Sequence, residues 1–133
     1  MRYMLDTNVI SALEKAPTGP LLTKLSNAGI DQIATSVIVA GELEYGSAKV
    51  RATRLRDNLK TLLGEIGVLP IDASVAQSYG RVRADLERRG KPIGQNDMWI
   101  AAHAIALDLT LVTDNVDEFA RVDGLRVENW LRD

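Results

Sequence analysis

The stretch RYMLDTNVIS, residues 2–11, decides how the chain is read. Its apolar residues Tyr3, Met4 and Leu5 run directly into a carboxylate at Asp6, and a second apolar pair, Val9 and Ile10, follows. That pattern is a buried strand, a sharp joint and the start of a helix. An acid at such a joint has an ordinary explanation, because Asp and Asn cap helices that begin after strands. The alternative is that Asp6 is one member of a group of acids. The choice depends on where the other acids lie.

Outward from this unit, short apolar runs alternate with longer helical patterns. The first helix is expected from about Asn8 to the breaker PTGP at 17–20. LLTKLSNA (21–28) reads as a short helix closed by Gly29, and QIATS (32–36) as a second strand. Ser36 is placed to cap a helix over VIVAGELEYGSAKV, 37–50. In RATRLRDNLKTLL (51–63), Ala52, Leu55, Leu59, Leu62 and Leu63 recur at helical spacing, with arginines on the opposite face. GVLPI (67–71) is a third strand. Asp72 caps a long helix over 73–89, which Gly90 ends.

KPIGQ (91–95) is a loop, and NDMWIAAHAIALDL (96–109) a buried, alanine-rich helix. LTLVT (109–113) is a fourth strand, DNVDEFA (114–120) a short helix and LRVENW (125–130) a fifth strand. Such alternation predicts an α/β sandwich of three layers, with a central parallel sheet of four to five strands flanked by helices. Sites in such sheets form beyond the carboxyl ends of the strands. Asp6 and the group Asp114, Asn115, Asp117 and Glu118 both fall at such ends.

Composition narrows the function. At 133 residues and 46% apolar content, the chain fits one domain, 1–133, with a single core. No apolar run is long enough to cross a membrane, and Asp6 arrives too early for a signal peptide. Cysteine is absent, which excludes disulfides, thiolate zinc sites and cysteine nucleophiles. A cytoplasmic location is the simplest expectation. The net charge of −2 is unevenly spread. Residues 49–91 hold ten Lys or Arg against five Asp or Glu, and residues 96–133 three against eight. A cationic surface beside an anionic pocket suits a polyanion, although a solvated helix face gives the same counts.

Two further acids stand in apolar company. Glu42 follows Val37 to Gly41, and Asp97 precedes Met98 to Ala102. Buried carboxylates are costly unless paired or bound to a metal. Asp97 can also be read as a helix cap; Glu42, inside a helix, cannot. Asp6, Glu42, Asp97 and the 114–118 group come from separate strand–helix units, with no obvious neutralising cation nearby. Carboxylates that converge in this way repel one another, and a divalent ion relieves the repulsion. All-oxygen ligands select Mg²⁺ or Mn²⁺. One histidine and no cysteine argue against a zinc hydrolase. The chemistry that suits such a site is metal-assisted phosphodiester hydrolysis.

LDTNVIS (5–11), SVIVAGELEYG (36–46), KPIGQNDMWIAAHA (91–104) and LVTDNVDEFARVDGLRVENW (111–130) follow one another in the order of the PIN-domain ribonucleases. Most closely they resemble VapC-type toxins of bacterial type II toxin–antitoxin pairs. The resemblance runs from residue 3 to the C-terminus. It implies a metal-dependent endoribonuclease that inhibits growth or translation by cutting RNA, with Asp6, Glu42 and Asp97 as catalytic and metal-holding acids. The family's fourth acid falls on Asn115, so Asp117 or Glu118 is expected to supply that carboxylate, and Asp117 is taken as the candidate. Thr113 is expected to orient the cluster. The resemblance further implies a homodimer, an RNA substrate, a VapB-like antitoxin bound across the site, and contact with DNA only through that antitoxin.

Three rival readings remain. An aspartyl-nucleophile phosphohydrolase needs a second Asp two residues after the first, where this chain has Asn8. A receiver-type signalling domain needs a lysine after the last inner strand, and no lysine follows Lys91. A catalytically inactive RNA- or partner-binding PIN domain would not need the acid trio. Of the remaining conspicuous residues, His103 is read as a structural or surface histidine and Trp99 as core or interface. Tyr45 is expected to pack on the site wall. Arg51, Arg54 and Arg56 are read as solvated charge on a helix able to meet a partner.

Overall fold

The computed structural model describes residues 1–15, 19–50 and 53–132, and of Leu55 the backbone alone. Five parallel strands form one sheet: β1 (Tyr3–Leu5), β2 (Ile33–Ser36), β3 (Val68–Leu69), β4 (Thr110–Val112) and β5 (Val127–Glu128). Their order is β3-β2-β1-β4-β5. Met4 stands opposite Ala34 on one side and Leu111 on the other. All three are fully buried, as expected of an inner parallel strand covered on both faces.

The helices are α1 (Thr7–Lys15), α2 (Pro20–Ala28), α3 (Val37–Lys49), α4 (Thr53–Ile66), α5 (Ala73–Arg88), α6 (Gln95–Ala106) and α7 (Val116–Phe119). From β1 the chain steps to β2 and then β3 in one direction. It then crosses back to β4 and β5 in the other. Right-handed crossovers in opposite directions put helices on opposite faces of the sheet. α1, α3 and α4 pack together, and α5 runs along α6. The expected three-layer α/β sandwich is therefore present.

Local chemistry accounts for the joints. The Ser36 hydroxyl caps α3 by accepting from Ile38 N, and Asp72 caps α5 by accepting from Ser74 N and Val75 N. Gly29 closes α2 at a φ of 91°, a conformation that costs glycine little. Several boundaries move from their expected places, three of them for a plain local reason. α1 starts at Thr7, because the Asp6 carbonyl already accepts from Val9 N and Ile10 N. β3 is only two residues long, since Pro70 has no N–H to extend the ladder. α6 stops at Ala106: Asp108 turns to a φ of 56°, and Leu109 N returns to the Ala104 carbonyl at 2.8 Å.

The amphipathic character of α4 is present at Leu59, Leu62 and Leu63. Ala52 and the Leu55 side chain lie outside the described residues. No helix among the described residues is long and apolar enough to cross a membrane.

Candidate active site

The sheet order reverses beside β1, and a crevice at such a point is where open α/β sheets place their ligands. β1 delivers Asp6 to this crevice. Its backbone N–H extends the ladder by one bond, to the Val112 carbonyl at 2.9 Å. The carboxylate is 4% exposed and held on both oxygens. Thr7 N donates to Oδ1 at 2.8 Å, and the Thr113 hydroxyl donates to Oδ2 at 2.8 Å. A capping carboxylate accepts from the second or third N–H of its helix. Asp6 accepts from the first and turns its other oxygen across the sheet, so helix capping does not describe its role. Burial raises its carboxyl above the usual range. The bonds from Thr113 and Thr7 oppose the rise, and the charges of Glu42 and Glu118 add to it.

Asn8 fastens the two sides of the crevice. Its amide nitrogen donates to Thr113 Oγ1 at 3.3 Å, and its oxygen accepts from Asp114 N at 3.1 Å. Thr113 Oγ1 also accepts from Asn115 N at 3.0 Å. One hydroxyl therefore orients Asp6 while anchoring the start of the β4–α7 turn.

Glu42 reaches the crevice from α3. The Thr7 hydroxyl donates to Glu42 Oε1 at 2.5 Å, within the range of charge-assisted O–H···O⁻ bonds. Behind it, the Ser36 cap meets His103 Nδ1 at 2.8 Å. His103 is fully buried, and burial depresses its pKa, with the Pro70 carbonyl and the Asp72 charge opposing. Its position supports the structural reading: it stands behind the α3 cap, away from the acids.

Asp97 lies in the first turn of α6, whose N-cap is Gly94 without a side-chain bond. The capping reading of Asp97 therefore fails. Its carboxyl folds back so closely that a Cβ on Gly94 would lie 3.4 Å from Asp97 Oδ2. Glu118 of α7 meets it there. Gly94 N donates to Glu118 Oε1 at 3.2 Å, and Asn115 Nδ2 donates to Oε2 at 2.6 Å. The Asp97 carboxyl is pushed up to about 8, first by burial, then by its hydrogen bond to Glu118 and the charges of Glu118, Asp6 and Glu42. Glu118 is held low, chiefly by the same bond from Asp97. The two carboxyls therefore shift in opposite directions, Asp97 upward and Glu118 downward.

Thr7 links Asp6 to Glu42, and Asp6, Glu42, Asp97 and Glu118 lie near enough for their charges to act on one another. Asp117 is exposed on α7 and makes no hydrogen bond or ion pair among the described residues. Asp114 points towards the C-terminal segment, where Asn129 Nδ2 and Arg132 Nε meet its Oδ1 at 3.0 and 3.2 Å. Asn115, in the position of the expected acid, orients Glu118 instead. Sequence reading missed the bond from Thr7 to Glu42 and the Asn8 bridge, because a turn-like LDTN does not reveal cross-sheet partners.

Tyr45 departs from expectation. It is 65% exposed, with Lys49 Nζ 4.6 Å from its ring centre, and does not wall the site. Trp99 stacks on Tyr79 at 3.8 Å, joining α6 to α5. Arg54 and Arg56 are exposed, and Arg51 lies outside the described residues.

As the side chains stand, no three acidic or histidine groups among the described residues cluster tightly enough to hold an ion between them. The donor set nevertheless suits one. Four carboxyl groups act on one another through their charges, and a cation would relieve that repulsion. Hard divalent ions prefer such all-oxygen ligands.

Comparison with known proteins points to one family. The PIN domain family profile matches residues 3–125. Ribonuclease VapC2 of Rickettsia felis is 39% identical over 98% of both chains. The tRNA(fMet)-specific endonuclease VapC of Shigella flexneri is 37% identical, again over 98% of each. Among solved structures, VapBC2 from Rickettsia felis bound to a DNA fragment from their promoter aligns at a TM-score of 0.91 and 36% identity, covering 98% of this chain and 99% of that one.

Proposed function

The chain belongs to the PIN-domain family, and from that premise we propose that it is an endoribonuclease, the toxin of a toxin–antitoxin pair. The observation that carries the reading is the bonding of Thr7 to both Asp6 and Glu42 beyond β1, with the charges of Asp97 and Glu118 acting on the same acids. Its partners are an RNA substrate and a VapB-like antitoxin, with DNA reached through the antitoxin; the VapBC2 relative is bound to a DNA fragment from its promoter. The Shigella relative's specificity makes tRNA the first substrate class to try. The protein acts as a homodimer in the cytoplasm.

Mg²⁺, or Mn²⁺ in its place, is the cofactor. Asp6, Glu42 and Asp97 would hold it, with Glu118 assisting. When bound, the ion supplies Lewis acidity towards a phosphate oxygen and lowers the pKa of water. The chain's own residues provide the orientation. Thr113 and Thr7 N fix both oxygens of Asp6, Thr7 Oγ1 fixes Glu42, and Asn115 with Gly94 N fixes Glu118. Such a prearranged site need not reorganise when charge develops on the phosphate. Asp97 would hold the ion as its carboxylate. No histidine base is required.

The test is the mapping of RNA ends after incubating the full chain with total tRNA and Mg²⁺, against Asp97→Asn. Discrete cuts made by the parent alone are expected. No cuts by the parent with either ion would refute the reading.

A further inference from the structure

A second cavity opens beside the acids, between α1, α3 and α4. Its volume is about 270 Å³. Thr7 and Glu42, bonded to each other, form the wall it shares with the acid cluster. Ser11 and Glu14 face it from α1, and Gly46 and Ser47 from α3. The space is slightly smaller than the roughly 300–1,000 Å³ of drug-sized ligand sites, a scale that suits one flat ring system.

Two side chains in its walls have unmet hydrogen-bonding capacity. The Ser47 hydroxyl is buried and has no partner among the described residues. An unpaired buried hydroxyl is unfavourable and calls for a reason. The Glu14 carboxylate is half-buried, and it too makes no hydrogen bond or ion pair among the described residues. Burial raises its pKa, with the adjacent Lys15 opposing. Two carboxylates, Glu14 and Glu42, make the cavity hostile to phosphate and receptive to hydrogen-bond donors. Exposed Lys15 also borders the cavity, which favours a strand whose phosphates pass the rim over a cationic peptide.

We propose that this cavity receives an unpaired nucleobase of the RNA next to the cleaved phosphate, with Glu14 accepting from its exocyclic amino group and the Ser47 hydroxyl turning to meet it. The assignment rests on the ribonuclease reading and adds a source of sequence preference to it. Adenine, cytosine and guanine carry such an amino group; uracil does not. Sequence-specific recognition of RNA generally depends on splayed, unpaired bases read along their edges. A carboxylate accepting from a base amine is one of the standard pairings.

The experiment uses a randomised library of short single-stranded oligoribonucleotides, cut by the full chain with Mg²⁺, followed by sequencing of the cut ends. Uracil should be depleted about tenfold at one position flanking the cut, in line with one good hydrogen-bonding pair. An abasic site there should lower kcat/KM by a similar factor. Gly46→Leu fills the cavity. A Cβ at Gly46 meets nothing within 4 Å, so the fold should survive, which a melting curve checks. In Gly46→Leu the ratio between intact and abasic oligonucleotides should fall to near one, and Glu14→Gln should reorder the base preference.

Unchanged ratios and preferences in both variants would overturn the proposal. So would a Gly46→Leu effect confined to inhibition by the antitoxin, since the cavity would then belong to the protein partner. A parent that cuts no oligonucleotide, and no tRNA either, would remove the ribonuclease reading and this subsite with it. A parent that cuts without flanking preference would remove only the subsite.

Discussion

Thr113 donates its hydroxyl proton to Asp6 Oδ2 at 2.8 Å, across the point where the strand order reverses. This bond ties the end of β4 to the end of β1 and decides which way the first acid faces. Thr113→Val keeps the shape and removes the donor. The variant should be destabilised by about 1.5–3 kcal/mol, as for a buried hydrogen bond to a charged group. It should need more Mg²⁺ for half-maximal cleavage. Thermal melting and a Mg²⁺ titration check both, and parent-like behaviour in each would make the bond incidental.

Asp97→Asn should abolish RNA cleavage with the fold intact. It changes little volume but removes a charge from the ion's ligand set. Losing several kcal/mol of charge stabilisation corresponds to a rate drop of roughly a hundredfold or more. Single-turnover kinetics at matched Mg²⁺ is the measurement, and equal rates would displace Asp97 from the site.

The fourth carboxylate can be assigned by comparing neighbours. Glu118 sits against Asp97, whereas Asp117 faces solvent. Glu118→Gln should raise the Mg²⁺ concentration for half-maximal cleavage several-fold, and Asp117→Ala should leave it unchanged. The reverse result would return Asp117 to the site and make Glu118 a support for Asp97.

The pH dependence of stability follows from the raised Asp97 carboxyl. In a chelator, Asp97 keeps its proton up to about 8, whereas in the unfolded chain it ionises near 3.8. Between these values the folded state binds more protons, so stability falls as pH rises from roughly 4.5 towards 8. Glu118, held low, gives the opposite slope only below its ordinary 4.5. Asp97→Asn should flatten the decline, and excess Mg²⁺ should reduce it by mass action. Melting curves across this range in chelator test the sign; a parent that gains stability as pH rises contradicts it.

Asp6→Asn probes the same repulsion from the other side of the cluster. In chelator it should melt higher than the parent, because one of several mutually repelling charges is gone. With excess Mg²⁺ the gap should shrink or reverse, since the parent gains more from the ion. Equal melting temperatures in both conditions would restore Asp6 to ordinary turn chemistry.

Much of this architecture is legible in one dimension, because it depends on local rules. The apolar run before Asp6, the caps at Ser36 and Asp72 and the glycine at 29 each act within a few residues of themselves, and periodicity separated strands from helices. The acids at 6, 42 and 97 were visible for a related reason: a carboxylate in apolar company is costly wherever it stands. The ordered blocks of the PIN family reinforced that reading. What no local rule contains is which groups face one another across the sheet. Asp117 and Glu118 are adjacent in sequence and equally acidic, yet the pitch of a single helical turn sends one to solvent and the other to Asp97. Tyr45 looks like a wall residue until α3 turns it outward. The bonds from Thr7 to Glu42 and from Thr113 to Asp6 join residues 35 and 107 positions apart. Such partnerships arise only when the crossovers bring the strand ends together.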